Sequence, residues 1–159
     1  MRVANKHCQP KLEDALDTMQ NHFVQLCKRF DIHTLYAFGS RAQEAKRCLD
    51  EHTTLDRTTE SDLDIGAKTG KDLPLTLQEK VSLAQGLEEL FDVSRVDLID
   101  LKQADAFLAA EVIRGERLFS VDEREADEYD LFILRRAGDL AYLERQRMDI
   151  ILARDTSGD

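Results

Sequence analysis

Two aspartates, Asp62 and Asp64, stand one residue apart in the run Asp62-Leu63-Asp64-Ile65-Gly66-Ala67. On an extended chain alternate side chains leave the same face, so both carboxylates project together while Leu63 and Ile65 point the other way. Two like charges side by side repel unless positive charge lies between them. A hard divalent cation meets that need, because Mg²⁺ prefers carboxylate oxygen and commonly takes one or two carboxylates together with substrate phosphates. In a chain with 32 acidic and 22 basic residues, the pair alone is also what an exposed, solvated strand face carries.

A third carboxylate narrows the choice. Asp97 lies in Arg95-Val96-Asp97-Leu98-Ile99-Asp100, an apolar run where an unpaired carboxylate is costly to bury. If this run is a strand beside the first, Asp97 completes a three-carboxylate cluster. Asp100 has the opposite parity and falls at the strand's end, where it can be solvated or cap the next segment, so Asp97 is preferred. The competing reading of Asp97 is a satisfied aspartate on an edge strand. Upstream, Gly39-Ser40-Arg41 closes another apolar run. Gly39 lets backbone approach a ligand closely, and Ser40 offers a hydroxyl and an N–H near a helix start, where phosphate is attracted. Arg41 can add a charge-assisted contact, although a solvated surface arginine is the simpler reading of that residue alone.

These residues need a scaffold, and the apolar spacing supplies one. Leu12 to Phe30 repeats at three- and four-residue steps, the pattern of an amphipathic helix, with Pro10 suited to its start. Thr34 to Phe38 is a short buried strand, and Ser40 to Cys48 begins a helix. Leu49 to Ser61 is polar and aperiodic, hence an exposed loop. Strands come next at Asp62–Ala67 and Arg95–Asp100, separated by a helix over Leu75–Phe91 with apolar positions at Leu77, Val81, Ala84, Leu87, Leu90 and Phe91. A short helix, Ala104–Arg114, stops at Gly115 before an extended segment at Arg117–Phe119. Asp122 to Ala153 is a long helical region striped by Tyr129, Phe132, Ile133, Ala137, Leu140, Met148 and Ile151, and Asp155 to Asp159 reads as a frayed end. The sum is an α/β (α+β) fold: one small mixed sheet, flanking helices and a long C-terminal helix in a single domain over 1–159, with its core at about 12–120.

Composition limits the partners. The formal net charge of −10 disfavours stable nucleic-acid binding and suits a basic protein partner or a phosphorylated ligand held through metal ions; it also simply favours solubility. Cys8, Cys27 and Cys48 are few, odd in number and without CxxC spacing, which indicates neither a disulfide framework nor a zinc ribbon. His7-Cys8 alone is a poor zinc signal, and His22, His33 and His52 are scattered. No apolar stretch suits a signal peptide or a membrane span, so the expectation is a soluble cytoplasmic protein.

The ordered set is far more specific than its parts. Leu35-Tyr36-Ala37-Phe38-Gly39-Ser40-Arg41-Ala42, then Ser61-Asp62-Leu63-Asp64-Ile65, then Val96-Asp97-Leu98-Ile99-Asp100-Leu101 resembles the minimal nucleotidyltransferases of the polymerase-β-like superfamily. Glu111-Val112-Ile113-Arg114-Gly115-Glu116-Arg117-Leu118-Phe119 is similar to the segment after the third strand in MNT antitoxins of HEPN–MNT toxin–antitoxin pairs. The likeness spans roughly 12–153. One departure is the spacer from Arg41 to Ser61, about twice the family's length, whose surplus falls in the polar segment 49–60; loops take added length at small entropic cost.

The resemblance implies a nucleotidyltransferase fold and a metal-dependent transferase. ATP would bind through Gly39, Ser40 and Arg41, with two Mg²⁺ ions on Asp62, Asp64 and Asp97. AMP would pass to a tyrosine of a partner HEPN toxin, a ribonuclease silenced by this AMPylation. Asp97 would hold the ion on the nucleophile side and help remove its proton. The other readings are a transferase acting on a small molecule such as an aminoglycoside, and an antitoxin that acts by binding alone. The helix over 122–153 is a candidate partner surface, although such a stripe also serves as core.

Overall fold

Where the apolar spacing changes from helical to alternating, the chain passes from helix to strand. The structure, a computed structural model, describes residues 12–51, 53, 55–56 and 61–155. The positions read as a helix start (Pro10), a zinc pair (His7, Cys8) and a frayed end (156–159) lie outside the described residues. The elements are α1 (Leu12–Arg29), β1 (Ile32–Phe38), a 3-10 turn (Gly39–Arg41), α2 (Ala42–Glu51), β2 (Leu63–Thr69), α3 (Leu77–Phe91), β3 (Val96–Asp100), α4 (Ala106–Ile113), β4 (Glu116–Ser120) and α5 (Glu123–Asp155).

The four strands form one mixed sheet in the order β3-β2-β1-β4. β1 pairs antiparallel with both β2 and β4, and β2 pairs parallel with β3 across the α3 crossover. Alternation along each strand divides the core in two. Leu35, Ala37, Leu63 and Ile65 pack against Phe23 and Cys27 of α1, Ala45 and Cys48 of α2, and Leu83, Leu87 and Phe91 of α3. Tyr36, with Phe38 and Ile99 beside it, packs against Ala109, Ala110 and Val112 of α4 and Ile133 and Ala137 of α5. Phe23 meets Phe91 and Phe119 edge-on, with centroids 6.3 and 6.1 Å apart, the arrangement that ring quadrupoles favour.

Three local readings change. The helix after Ser40 runs on to Glu51, and Leu49 and Leu55, expected in an exposed loop, are buried. Burial of these two apolar side chains ties the start of the long spacer to the core. The inner face of α3 is Leu83, Leu87 and Phe91, while Leu77 and Val81 are exposed. Its start is fixed by a capping box: the Thr76 side chain accepts from the Glu79 N–H and the Glu79 carboxylate accepts from the Thr76 N–H. Only the first half of the α5 stripe is core, since Ala126, Ile133 and Ala137 are buried and no residue from Gly138 to Leu152 is.

α5 is fastened to the sheet by polar groups as well. The Tyr36 hydroxyl, fully buried, donates to Asp130 Oδ1 (2.6 Å). Arg117 of β4 donates to Asp130 (2.7 Å), Asp127 (2.8 Å) and Glu123 (2.7 Å). Burial first, then the bond to Asp130, pushes the Tyr36 hydroxyl well above its ordinary range. Cys27 and Cys48 are free and buried, and burial pushes the Cys27 thiol up to about 12. Among the described residues no helix is long and apolar enough to cross a membrane.

Candidate active site

The end of β1 and the start of β2 lie against each other because the antiparallel register sets Phe38 opposite Asp64. The chain must then turn over the carboxylate. Gly39 does so with φ +72°, and a Cβ there would stand 2.6 Å from Asp64 Oδ2. Both the left-handed backbone and the missing space call for glycine. Ser40 comes next, in the 3-10 turn that leads into α2.

The parallel register of β2 and β3 sets Asp64 opposite Asp97. Strands one ladder apart are about 4.8 Å from each other, so two carboxylates of matching parity are held close by the backbone. Asp62 immediately precedes β2. The three acids act on one another: burial first, then the charges of Asp97 and Asp62, hold the Asp64 carboxyl above its usual range. Asp97 sits on an edge strand with its side chain 44% exposed.

The positive charge between these acids comes from Arg95. Its guanidinium donates to Asp97 Oδ1 from Nε (3.0 Å) and lies 2.9 Å from the same oxygen through Nη2, with Asp62 Oδ2 at 3.7 Å. Among the described residues no group of three or more His, Cys, Asp or Glu is gathered to hold a metal ion. Asp62, Asp64 and Asp97 thus share one mouth, with the Arg95 guanidinium paired to Asp97 and 3.7 Å from Asp62. Their donor chemistry suits a hard cation such as Mg²⁺, and Arg95, 64% exposed, has room to swing out. Arg95→Gln is therefore expected to tighten Mn²⁺ binding about tenfold, read by calorimetry, because one full competing charge is removed. Unchanged affinity would show that the guanidinium does not compete.

Two other residues differ from their sequence reading. A phosphate contact is expected of Arg41, yet it is only 4% exposed. It donates to Glu44 from Nε (2.9 Å) and Nη2 (3.2 Å), to the Ser61 carbonyl from Nη1 (3.1 Å) and to the Asp56 carbonyl from Nη2 (3.0 Å). Those bonds commit its donors to Glu44 and to the spacer before β2, so it pins a loop. Asp100 turns from Asp97 as its parity requires and caps the segment that follows, accepting from the N–H of Lys102 (2.9 Å); it is buried rather than solvated, and also accepts from the N–H of Leu75 (2.8 Å).

A cleft of about 390 Å³ opens beside the turn, lined by Gly39, Ser40, Ala42, Gln43, Glu111, Arg114, Gly115 and Glu116. Its far wall is fixed by Gly115, which packs so tightly on the Ala37 carbonyl and Phe38 that no side chain fits.

This geometry fits the likenesses found among known proteins. Residues 21–124 match the model of the family described as polymerase beta, nucleotidyltransferase. The chain belongs to that family. Among solved structures, its fold is similar to a chain of the toxin–antitoxin MntA-HpeT mutant, at 20% identity over 84% of this chain and 98% of that one, with a TM-score of 0.62. A toxin–antitoxin with AMP-PNP matches equally, at 20% identity, 84% and 98% coverage and TM-score 0.62. A third is similar at 23% identity, 86% and 95% coverage and TM-score 0.54: the tri-AMPylated Shewanella oneidensis HEPN toxin in complex with MNT antitoxin. No curated protein sequence matches.

Within this nucleotidyltransferase domain, the sequence reading missed Arg95 and Arg114. Arg95 carried a usable signal, since it lies two residues before Asp97 and shares its parity. Arg114 lies inside the segment 111–119 that resembles the antitoxins, but its place beside Ser40 was not legible, because the two are far apart along the chain and only the cleft joins them.

Proposed function

We propose that this chain is the antitoxin of a HEPN–MNT pair and transfers AMP from ATP to a tyrosine of its HEPN ribonuclease partner, silencing it. The observation that carries the reading is the gathering of Asp62, Asp64 and Asp97 with Gly39-Ser40 at one end of the sheet, inside a nucleotidyltransferase-family domain. The likeness to antitoxins in toxin complexes, one of them with an AMPylated toxin, supports the choice of acceptor.

In this reading the N–H groups and hydroxyl at Gly39-Ser40 receive the triphosphate. The tyrosine oxygen attacks the α-phosphorus, the bond to pyrophosphate breaks, and the phenolic proton leaves to a carboxylate. Asp97, half open on the edge strand, is the acid with room for an incoming hydroxyl. Asp62, Asp64 and Asp97 would hold Mg²⁺, which when bound supplies charge neutralisation on the phosphates. Asp64, whose charge is opposed by burial and by two neighbouring acids, needs that cation most.

The outer half of α5 is the proposed partner surface. Leu140, Tyr142, Leu143, Met148, Ile150, Ile151 and Leu152 are exposed there, large apolar side chains that a partner helix or groove can cover. Deleting residues 145–159 is expected to weaken the complex at least tenfold while the melting temperature moves by less than about 2 °C, since the side chains from Arg145 to Leu152 are exposed. Equal affinity of the truncated chain would place the interface elsewhere.

The deciding experiment incubates the protein with ATP, Mg²⁺ and the protein encoded beside it, read by intact-mass spectrometry. A partner mass raised by one or more AMP groups, and not raised by Asp62→Asn, supports the reading. The bridge from Arg95 across Asp62 and Asp97 favours one second reading, an antitoxin acting by binding alone. Neutralisation by an Asp62/Asp64 double variant without ATP would establish it.

A further inference from the structure

The strand order lays the site out as a line. Across one end of the sheet stand Asp97 at the start of β3, Asp62 and Asp64 at the start of β2, Gly39-Ser40 at the end of β1, and Gly115-Glu116 at the start of β4. Anything extended that begins at the carboxylates and passes the Gly39-Ser40 turn arrives at the cleft closed by α4 and β4. A nucleoside triphosphate bears about four negative charges at neutral pH, and this line is otherwise acidic, with Asp62, Asp64, Asp97, Glu111 and Glu116 along it. Its far end must therefore supply a cation.

Arg41 cannot be that cation, because its donors are committed to Glu44 and to the carbonyls of Asp56 and Ser61. Arg95 stands at the opposite end, on Asp97. Among the described residues lining the cleft, the one cation is Arg114. Its backbone ends α4 and runs into Gly115, which is wedged on β1. The guanidinium is thus anchored to the same strand end as Ser40. The side chain is 61% exposed and, among the described residues, is paired with Glu111 Oε1 at 2.8 Å. A single exposed ion pair of this kind is weak, so a polyphosphate can displace it and take two parallel bonds from the guanidinium.

The geometry points to Arg114 as the residue that grips the distal phosphates of the triphosphate, with Glu111 orienting it when no nucleotide is bound. This rests on the nucleotidyltransferase reading of the same site. It makes Arg114 a discriminator of phosphate-chain length: it reaches the β- and γ-phosphates and leaves a monophosphate untouched.

The test is calorimetric titration of the full chain with AMP-PNP and with AMP, each with Mg²⁺. Arg114→Ala is expected to weaken AMP-PNP about tenfold or more while AMP changes less than twofold, and Arg114→Lys restores part of the loss. Glu111→Gln acts in the opposite direction, tightening AMP-PNP several-fold, because it removes both a competitor for the guanidinium and a repelling charge. A purely structural role would not produce tightening. Equal AMP-PNP affinity in wild type and Arg114→Ala, or equal losses for AMP-PNP and AMP, overturns the assignment. A wild type that binds neither nucleotide overturns the nucleotidyltransferase reading beneath it.

Discussion

Asp64→Asn is expected to abolish AMP transfer and, in metal-free buffer at neutral pH, to make the protein more stable. The two effects share one cause. Asp64 lies under the Gly39 turn and opposite Asp97, with burial and two neighbouring acids all opposing its charge. Such a group is costly to the fold and is tolerated where its charge is needed for function. Asparagine keeps the shape and removes the charge, so folding gains while the site loses a carboxylate. The loss of transfer should be on the order of 10³-fold, comparable to losing one key electrostatic contact to a developing charge. The gain should be about 1–3 °C in melting temperature for a domain of this size, measured in EDTA. Added Mg²⁺ should narrow the difference by stabilising the wild type alone. A variant that melts below wild type in EDTA would mean that Asp64 is a structural acid, satisfied in its place.

Arg117→Ala is expected to bring the largest loss of stability, about 2–3 kcal/mol, seen as a fall of roughly 4–12 °C in thermal unfolding. The ion pairs from Arg117 to Glu123 and Asp127 involve exposed acids and contribute little. The pair with Asp130 is different, because both side chains are about one-fifth exposed and Asp130 also accepts from the buried Tyr36 hydroxyl. Removing the guanidinium leaves a half-buried carboxylate without its counter-charge at the point where α5 meets the sheet. Asp130→Asn should cost about half as much, since an amide oxygen still accepts from Tyr36. If Arg117→Ala costs less than about 0.5 kcal/mol, the network contributes little and α5 is held by its apolar side chains, Ala126, Tyr129, Ile133 and Ala137.

How much of the molecule is legible in its chain depends on the range of the physics involved. Gly39-Ser40, Asp62-x-Asp64 and Asp97 are each defined by neighbours within two residues, so strand parity and a glycine turn suffice to aim them. Parity also separates Asp97 from Asp100 correctly in direction, although not in environment, because the loop before α3 that buries Asp100 is 25 positions away. Arg41 fails for the opposite reason: a long side chain at a 3-10 turn can swing to either side, and only the packing of the spacer decides. Leu49 and Leu55 are lost among polar neighbours, where isolated apolar residues give no period to detect. In α5 apolar residues recur past Ala137, at Leu140, Met148 and Ile151, while the body that covers the helix ends, so spacing alone does not separate core from open surface.

The register that faces Asp64 with Asp97 also bears on how such a protein can change over time. The separation of these two acids is set by the hydrogen-bonded ladder between β2 and β3, not by the shapes of the side chains packed beneath it. Substitutions in the helices can therefore accumulate, altering volume and crossing angle, without moving the two carboxylates relative to each other. A site anchored to main-chain pairing lets the rest of the sequence drift widely, which suits a fold shared with solved structures at 20% identity. The vulnerable positions are then few and small: Gly39, where any side chain strikes Asp64, and the ladder residues that keep β2 and β3 in step.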